Sequence, residues 1–122
     1  MLMGKPHILI VEDNLIIALD LQEKVQKMGY AVARAVETGE EAIRAALVLD
    51  PDLILMDISL KGKMNGIEAV AEIREVRSIP VIYLTGNSEQ LKQGGLNELY
   101  IDKPIHDEEL RILIESTLFH LS

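Results

Sequence analysis

Apolar residues along the chain fall into two alternating patterns, short continuous runs and longer stretches with helical spacing. The runs are His7–Val11, Tyr30–Val36, Pro51–Met56, Ile79–Leu84 and Leu99–Asp102. Continuous runs of this length, bounded by turn residues, predict strands buried on both faces. Between the first two runs, Asn14 is suited to cap a helix reaching about Met28, with Ile17, Leu21, Val25 and Met28 on one face, and Gly29 stops it. Thr38-Gly39-Glu40-Glu41 resembles a capping box opening a helix through about Leu49, which Asp50-Pro51 closes. Ile67–Val76 carries Ile67, Val70, Ala71 and Ile73 at helical spacing. Asp107-Glu108-Glu109 puts acids in the first turn of a final helix with Leu110, Leu113, Ile114, Thr117, Leu118 and Leu121 as its inner stripe.

Gly86 to Glu98 is more polar, and contains Gly94-Gly95. It predicts a stunted helix of one or two turns from Ser88 to Gln93. Five strands alternating with five helices, the fourth of them shortened or disordered, imply an α/β domain with a parallel sheet covered on both faces. The 122 residues, 48% of them hydrophobic, fit one domain spanning 1–122 with a substantial core.

The ends of those strands carry the chemistry. Glu12 and Asp13 follow the first, Asp57 the third, Thr85 the fourth, and Lys103-Pro104 the fifth. In an open α/β sheet, ligands bind at the carboxyl ends of the strands, so three acids, a hydroxyl and an ammonium are expected in one crevice. A formal net charge of -8 disfavours nucleic acid and anionic membrane as direct partners and favours a cation as ligand. With no cysteine there are no disulfides or thiolate metal sites, and the redox compartment is left open. No apolar run approaches the roughly 18 residues of a membrane span, and Met1–Pro6 is short for a signal peptide. A cytoplasmic protein is the expectation. His7, His106 and His120 lack metal-ligand spacing and read as surface or strand-edge residues.

Taken singly, each strand-end residue has an ordinary explanation: a helix cap at Glu12-Asp13-Asn14, a turn at Thr85-Gly86, a proline before the last helix. Together and in order, they resemble the receiver domains of two-component response regulators over essentially the whole chain. The resemblance implies the flavodoxin-like (βα)5 three-layer sandwich with strand order 2-1-3-4-5. It also implies that Asp57 is the phosphoacceptor, that Glu12, Asp13, Asp57 and the backbone carbonyl of Ser59 hold Mg²⁺, and that Thr85, Gly86 and Lys103 contact the phosphoryl group. Tyr100 then stands at the aromatic switch position and Pro104 shapes its loop, by a cis bond or by positioning.

The chemistry suits those residue types. Phosphoryl transfer to a carboxylate gathers negative charge that nearby cations must offset, and Mg²⁺ prefers oxygen ligands, commonly one or two protein carboxylates. The implied function is a phosphorylation-dependent switch, not an enzyme, that accepts a phosphoryl group from a histidine kinase or histidine phosphotransfer protein. Its output passes to a protein target or a homodimer, without direct contact to nucleic acid. Two alternatives stand beside it: a receiver-like adaptor that works without phosphorylation, and an aspartyl-phosphate phosphohydrolase. The second is disfavoured because Ser59 occupies the place two residues after Asp57 where such an enzyme would want an acid.

Leu15 and Leu19 lie roughly 160 to 200° around their helix from Ile17. With Ile16 they are expected to form an exposed apolar strip that docks the phosphodonor. Three departures from the family pattern mark the chain. The loop Ile58–Gly66 lacks the usual Met-Pro pair and runs about one residue longer, predicting a looser setting. Glu12 replaces the commoner aspartate. Thr85 to Lys103 is shorter than usual, at the expense of the fourth helix, and Ile112 and Phe119 fall off the final helix's inner stripe as candidates for an interaction patch.

Overall fold

The computed structural model describes residues 4–89, 91 and 98–119. The five predicted strands form as β1 (His7–Val11), β2 (Ala31–Val36), β3 (Leu53–Asp57), β4 (Val81–Thr85) and β5 (Leu99–Asp102). They make one parallel sheet in the order β2-β1-β3-β4-β5. The helices are α1 (Leu15–Lys27), α2 (Gly39–Leu49), α3 (Gly66–Arg74) and the final helix α4 (Asp107–Leu118). Of the short helix expected at Ser88–Gln93, Glu89 and Leu91 are helical, while Gln90, Lys92 and Gln93 lie outside the described residues, as do Gly94-Gly95, Leu121 and His120.

Alternation along each strand sends side chains to two cores. Leu9, Val11, Ile54, Met56, Val81 and Tyr83 face α2 and α3, meeting Ala42, Ala45, Ala46, Val70 and Ile73. Ile8, Ile10, Leu55, Ile82, Leu84 and Ile101 face α1 and α4, meeting Leu21, Val25, Leu110 and Ile114. Every residue of β3 and β4 is buried, as continuous apolar runs require of central strands. The alanines of α2 let that helix lie close to the sheet.

Caps set the helix starts. Asn14 Oδ1 accepts the amides of Ile16 and Ile17 at 3.0 and 3.1 Å. Thr38 and Glu41 form the expected capping box. A second box, Asn65 with Glu68, moves the start of α3 from the expected Ile67 to Gly66, and the helix ends at Arg74, short of the expected Val76. The third strand begins at Leu53, because Pro51 has no amide to give to the ladder, and the fourth begins at Val81 after Pro80 and runs on to Thr85. α4 has no side-chain cap; its first-turn acids Asp107, Glu108 and Glu109 complement the helix dipole, and Asp107 pairs with Lys24 of α1. Among the described residues no helix is long and apolar enough to cross a membrane.

Candidate functional site

β1, β3, β4 and β5 run parallel, so all four carboxyl ends open on one rim. There the chain brings Glu12, Asp13, Asp57, Thr85 and Lys103 together, though they come from segments up to 91 residues apart. Carboxylate oxygens of Glu12, Asp13 and Asp57 all lie within 4.8 Å of one another. Glu12 and Asp57 are buried, at 1% and 2% exposure, while Asp13 is half-buried at the mouth. Lys103 Nζ reaches both buried acids, 3.2 Å from Glu12 Oε1 and 3.4 Å from Asp57 Oδ1.

Each acid is further fixed by a backbone amide. Asn14 N–H donates to Glu12 Oε2 at 3.1 Å, Ser59 N–H to Asp57 Oδ1 at 3.1 Å, and Lys61 N–H to Asp13 Oδ2 at 3.0 Å. The last two come from the loop between β3 and α3, which contains no proline and is held by these bonds. Its exit is equally constrained: Gly66 N–H donates to Ile58 O at 2.9 Å, and a Cβ on Gly66 would stand 2.3 Å from the Asp57 carbonyl oxygen. Gly66 and Asn65 are thus site-shaping residues that the sequence reading passed over. The signal was there in Asn65-x-x-Glu68, which has capping-box spacing.

Burial and the neighbouring Asp57 leave a mark on the ionisation of Glu12. Burial pushes the Glu12 carboxyl up to about 7; the Asn14 amide opposes this, the neighbouring Asp57 adds to it, and Lys103 opposes it. Burial also works against the Lys103 ammonium, but Asp57 and Glu12 outweigh it and raise its pKa above the ordinary lysine value. The cluster is therefore short of positive charge. A set of three carboxylates with one ammonium is hard, oxygen-rich and anionic, which fits a small divalent cation such as Mg²⁺.

Thr85 is buried at the end of β4, its Oγ1 accepting Asn87 N–H at 2.9 Å, and its carbonyl takes Lys103 N–H at 2.8 Å. That last bond ties the lysine's backbone to β4. Gly86, next in the chain, is exposed. The Lys103-Pro104 peptide is cis, one of the two forms expected for Pro104. Tyr100 pairs in register with Tyr83 and packs partly buried against the core beneath α2 and α3. Leu15, Ile16 and Leu19 are exposed at 65%, 78% and 56%, on the α1 turns that follow the acidic pair. On another side of α1, Ile17, Asp20, Leu21, Lys103, Pro104 and Ile105 line a cavity of about 220 Å³. Ile112 and Phe119 are exposed as expected, and the Phe119 ring stacks on Tyr30, just before β2, with centroids 6.4 Å apart.

Residues 8–115 match the family model of the response regulator receiver domain. Over 120 residues the chain is 37% identical to the aerobic respiration control protein ArcA of Escherichia coli K12, covering 95% of this chain and 50% of that protein. It is 34% identical over 116 residues to the phyllosphere-induced regulator PhyR of Methylorubrum extorquens, covering 93% of this chain and 43% of the other. The chain therefore spans about half the length of the curated relatives it matches. Among solved structures, the receiver domain of PhyR from Erythrobacter litoralis superposes with a TM-score of 0.89 at 31% identity, over 98% of this chain and 94% of that one. Sheet order, strand-end residues and these likenesses agree, and the chain belongs to the family of response regulator receiver domains.

Proposed function

We propose that this domain is a phosphorylation-dependent switch in which Asp57 accepts a phosphoryl group from a phosphohistidine donor. The observation that carries the reading is the convergence of Glu12, Asp13 and Asp57 around one rim with Lys103 as their only close ammonium among the described residues. Asp57 Oδ attacks phosphorus, the phosphorus–nitrogen bond breaks, and the imidazole leaves with the electron pair. Asp13 and Asp57, with Glu12 directly or through water and the Ser59 carbonyl, would hold Mg²⁺, which when bound supplies positive charge against the phosphoryl oxygens. Lys103 supplies a second cation, and Thr85 Oγ1 and the Gly86 amide donate to the transferred group.

The product is a more charged rim, and the response is a population shift of the domain, with Tyr100 as the side chain that reports it. Water attacking the acyl phosphate returns Asp57 to its resting state, so the domain acts as a switch and not as an enzyme with an outside substrate. The donor is a histidine kinase or histidine phosphotransfer protein, docked on the exposed side chains of Leu15, Ile16 and Leu19. Output goes to a protein partner or a second copy, in keeping with the net charge of -8 and with the anti-anti-sigma role named for PhyR of Bartonella quintana, 32% identical over 98% of this chain and 49% of that one, TM-score 0.83. A cytoplasmic location goes with this reading.

The test is intact-mass measurement after incubation with acetyl phosphate and Mg²⁺. One phosphoryl adduct, absent without Mg²⁺ and absent from Asp57→Asn, is the expected result. No adduct in the unaltered protein would favour the adaptor, and rapid multiple turnover the phosphohydrolase.

A further inference from the structure

The loop between β3 and α3 supplies two of the three amides that address the acids of the site, those of Ser59 and Lys61. Nothing in its composition stiffens it: it has no proline, and past Lys61 it turns through Gly62 with φ at 100°. Its far side is held by Met64. This side chain packs, half-buried, on the core beneath α2 and α3, and it lies over Gly39, the first residue of α2. A Cβ on Gly39 would stand 3.0 Å from both Cγ and Sδ of Met64 and 3.2 Å from its Cβ, so any side chain at residue 39 would push Met64 out of this seat by a few tenths of an ångström.

The post beneath Met64 is rigid. Thr38 Oγ1 accepts Glu41 N–H at 3.1 Å, and Glu41 Oε1 accepts the amides of Glu37 and Thr38, each at 3.2 Å. The turn from β2 into α2 is thus locked before it meets the loop.

We propose that the seat of Met64 on Gly39 is a positioning device for the carboxylates of the site, with Met64 as a positioning residue that touches none of them. It holds the loop at the height where Lys61 N–H meets Asp13 and Ser59 N–H meets Asp57, so that both acids keep the rotamers in which their oxygens converge. Supports of this kind, one step removed from the ligands, tune a metal site through the orientation of its donors. The inference rests on the proposed metal-binding role of the acids for its consequence, though not for its first readout.

That readout is amide hydrogen exchange in metal-free protein, comparing the unaltered chain with Met64→Ala, Met64→Leu and Gly39→Ala, and taking Ile10 and Leu55 in the sheet as the reference for global opening. Met64→Ala and Gly39→Ala are expected to lower protection at Lys61 about tenfold with the sheet amides unchanged, and Met64→Leu to keep it within about twofold. Gly39→Ala is informative because it adds a helix-favouring residue while displacing Met64, which separates position from stability. Calorimetric titration with Mg²⁺ then shows affinity about tenfold weaker in Met64→Ala and Gly39→Ala. Lys61 protection that stays constant, or that falls only in step with Ile10 and Leu55, would overturn the device. Absence of Mg²⁺ binding by the unaltered protein would instead strike at the metal-dependent switch, while the exchange pattern would still decide whether Met64 positions the loop.

Discussion

Lys103 Nζ stands 3.2 Å from Glu12 Oε1, and this single ammonium also serves Asp57 at 3.4 Å, so one cation is divided between two buried carboxylates. The Glu12 side chain spans the gap from the end of β1 to the lysine that follows β5. Lys103 itself is only a quarter exposed. Replacing it with methionine strands two acids without their counter-charge. The expected loss is about 2 to 3 kcal/mol in urea unfolding at pH 8 without metal, and a smaller loss at pH 5, where Glu12 can take up a proton. Equal losses at both pH values would mean that Lys103 stabilises through packing of its stem and not through charge.

Glu12 makes the metal-free fold pH-dependent in a definite direction. Its carboxyl titrates at about 7 in the folded chain against 4.5 as a model group, so the folded state holds the proton more tightly than the unfolded state. The favourable contribution is full below about pH 4.5 and is lost as pH rises through 7, by an amount on the order of 2 to 3 kcal/mol. Urea midpoints of the unaltered protein and Glu12→Gln, both in chelator, should therefore diverge between pH 5 and 8, with the unaltered protein becoming relatively weaker. Mg²⁺ affinity should strengthen over the same interval, because the cation competes with that proton. A constant difference between the two proteins across the range would remove the anomalous carboxyl.

How far the sequence leads depends on the range of the forces involved. Continuous apolar runs and helical stripes are local, and they announced five strands, four described helices and the strand-end positions of Asp13, Asp57, Thr85 and Lys103. Caps are local too: Thr38 with Glu41 was legible, and Asn65 with Glu68 was there to be read by the same rule. What local pattern does not encode is approach across segments. The sharing of Lys103, the Lys61 amide on Asp13 and the seat of Met64 on Gly39 join residues 25 to 91 positions apart, and only the assembled fold brings them into range. For that reason the loop after Asp57 reads as loose from composition alone, yet is pinned at Ser59, Lys61, Met64 and Gly66 once folded.

Gly66 gives the sharpest steric prediction. Any Cβ there would sit 2.3 Å from the Asp57 carbonyl oxygen and 3.0 Å from the Ile58 Cα, both backbone atoms at the carboxyl end of β3. Relief requires moving β3 or α3, so Gly66→Ala should cost about 3 kcal/mol or more. Gly86 is the control on the opposite side of the site. Nothing lies within 4 Å of its would-be Cβ and its φ is not positive, so Gly86→Ala should stay within about 0.5 kcal/mol of the unaltered protein. Chemical denaturation of the pair decides this, and similar stability of both variants would show that the α3 start can shift at little cost.

Leu19 separates recognition of the donor from the chemistry of transfer. It is 56% exposed beside Leu15 and Ile16, on the face of α1 turned away from Leu21 and Val25, so its side chain contributes little to the core. Leu19→Glu should leave urea stability within about 0.5 kcal/mol. A protein donor that seats apolar side chains on this strip would meet a charge at the centre of the contact, and transfer should fall by about tenfold or more. Acetyl phosphate needs no such surface, so labelling of Asp57 by it should proceed at the unaltered rate. The contrast between donors is what identifies docking. A matched fall with both would instead trace the effect to the acidic rim, through displacement of Asn14 and the start of α1, and the strip would lose its assigned role.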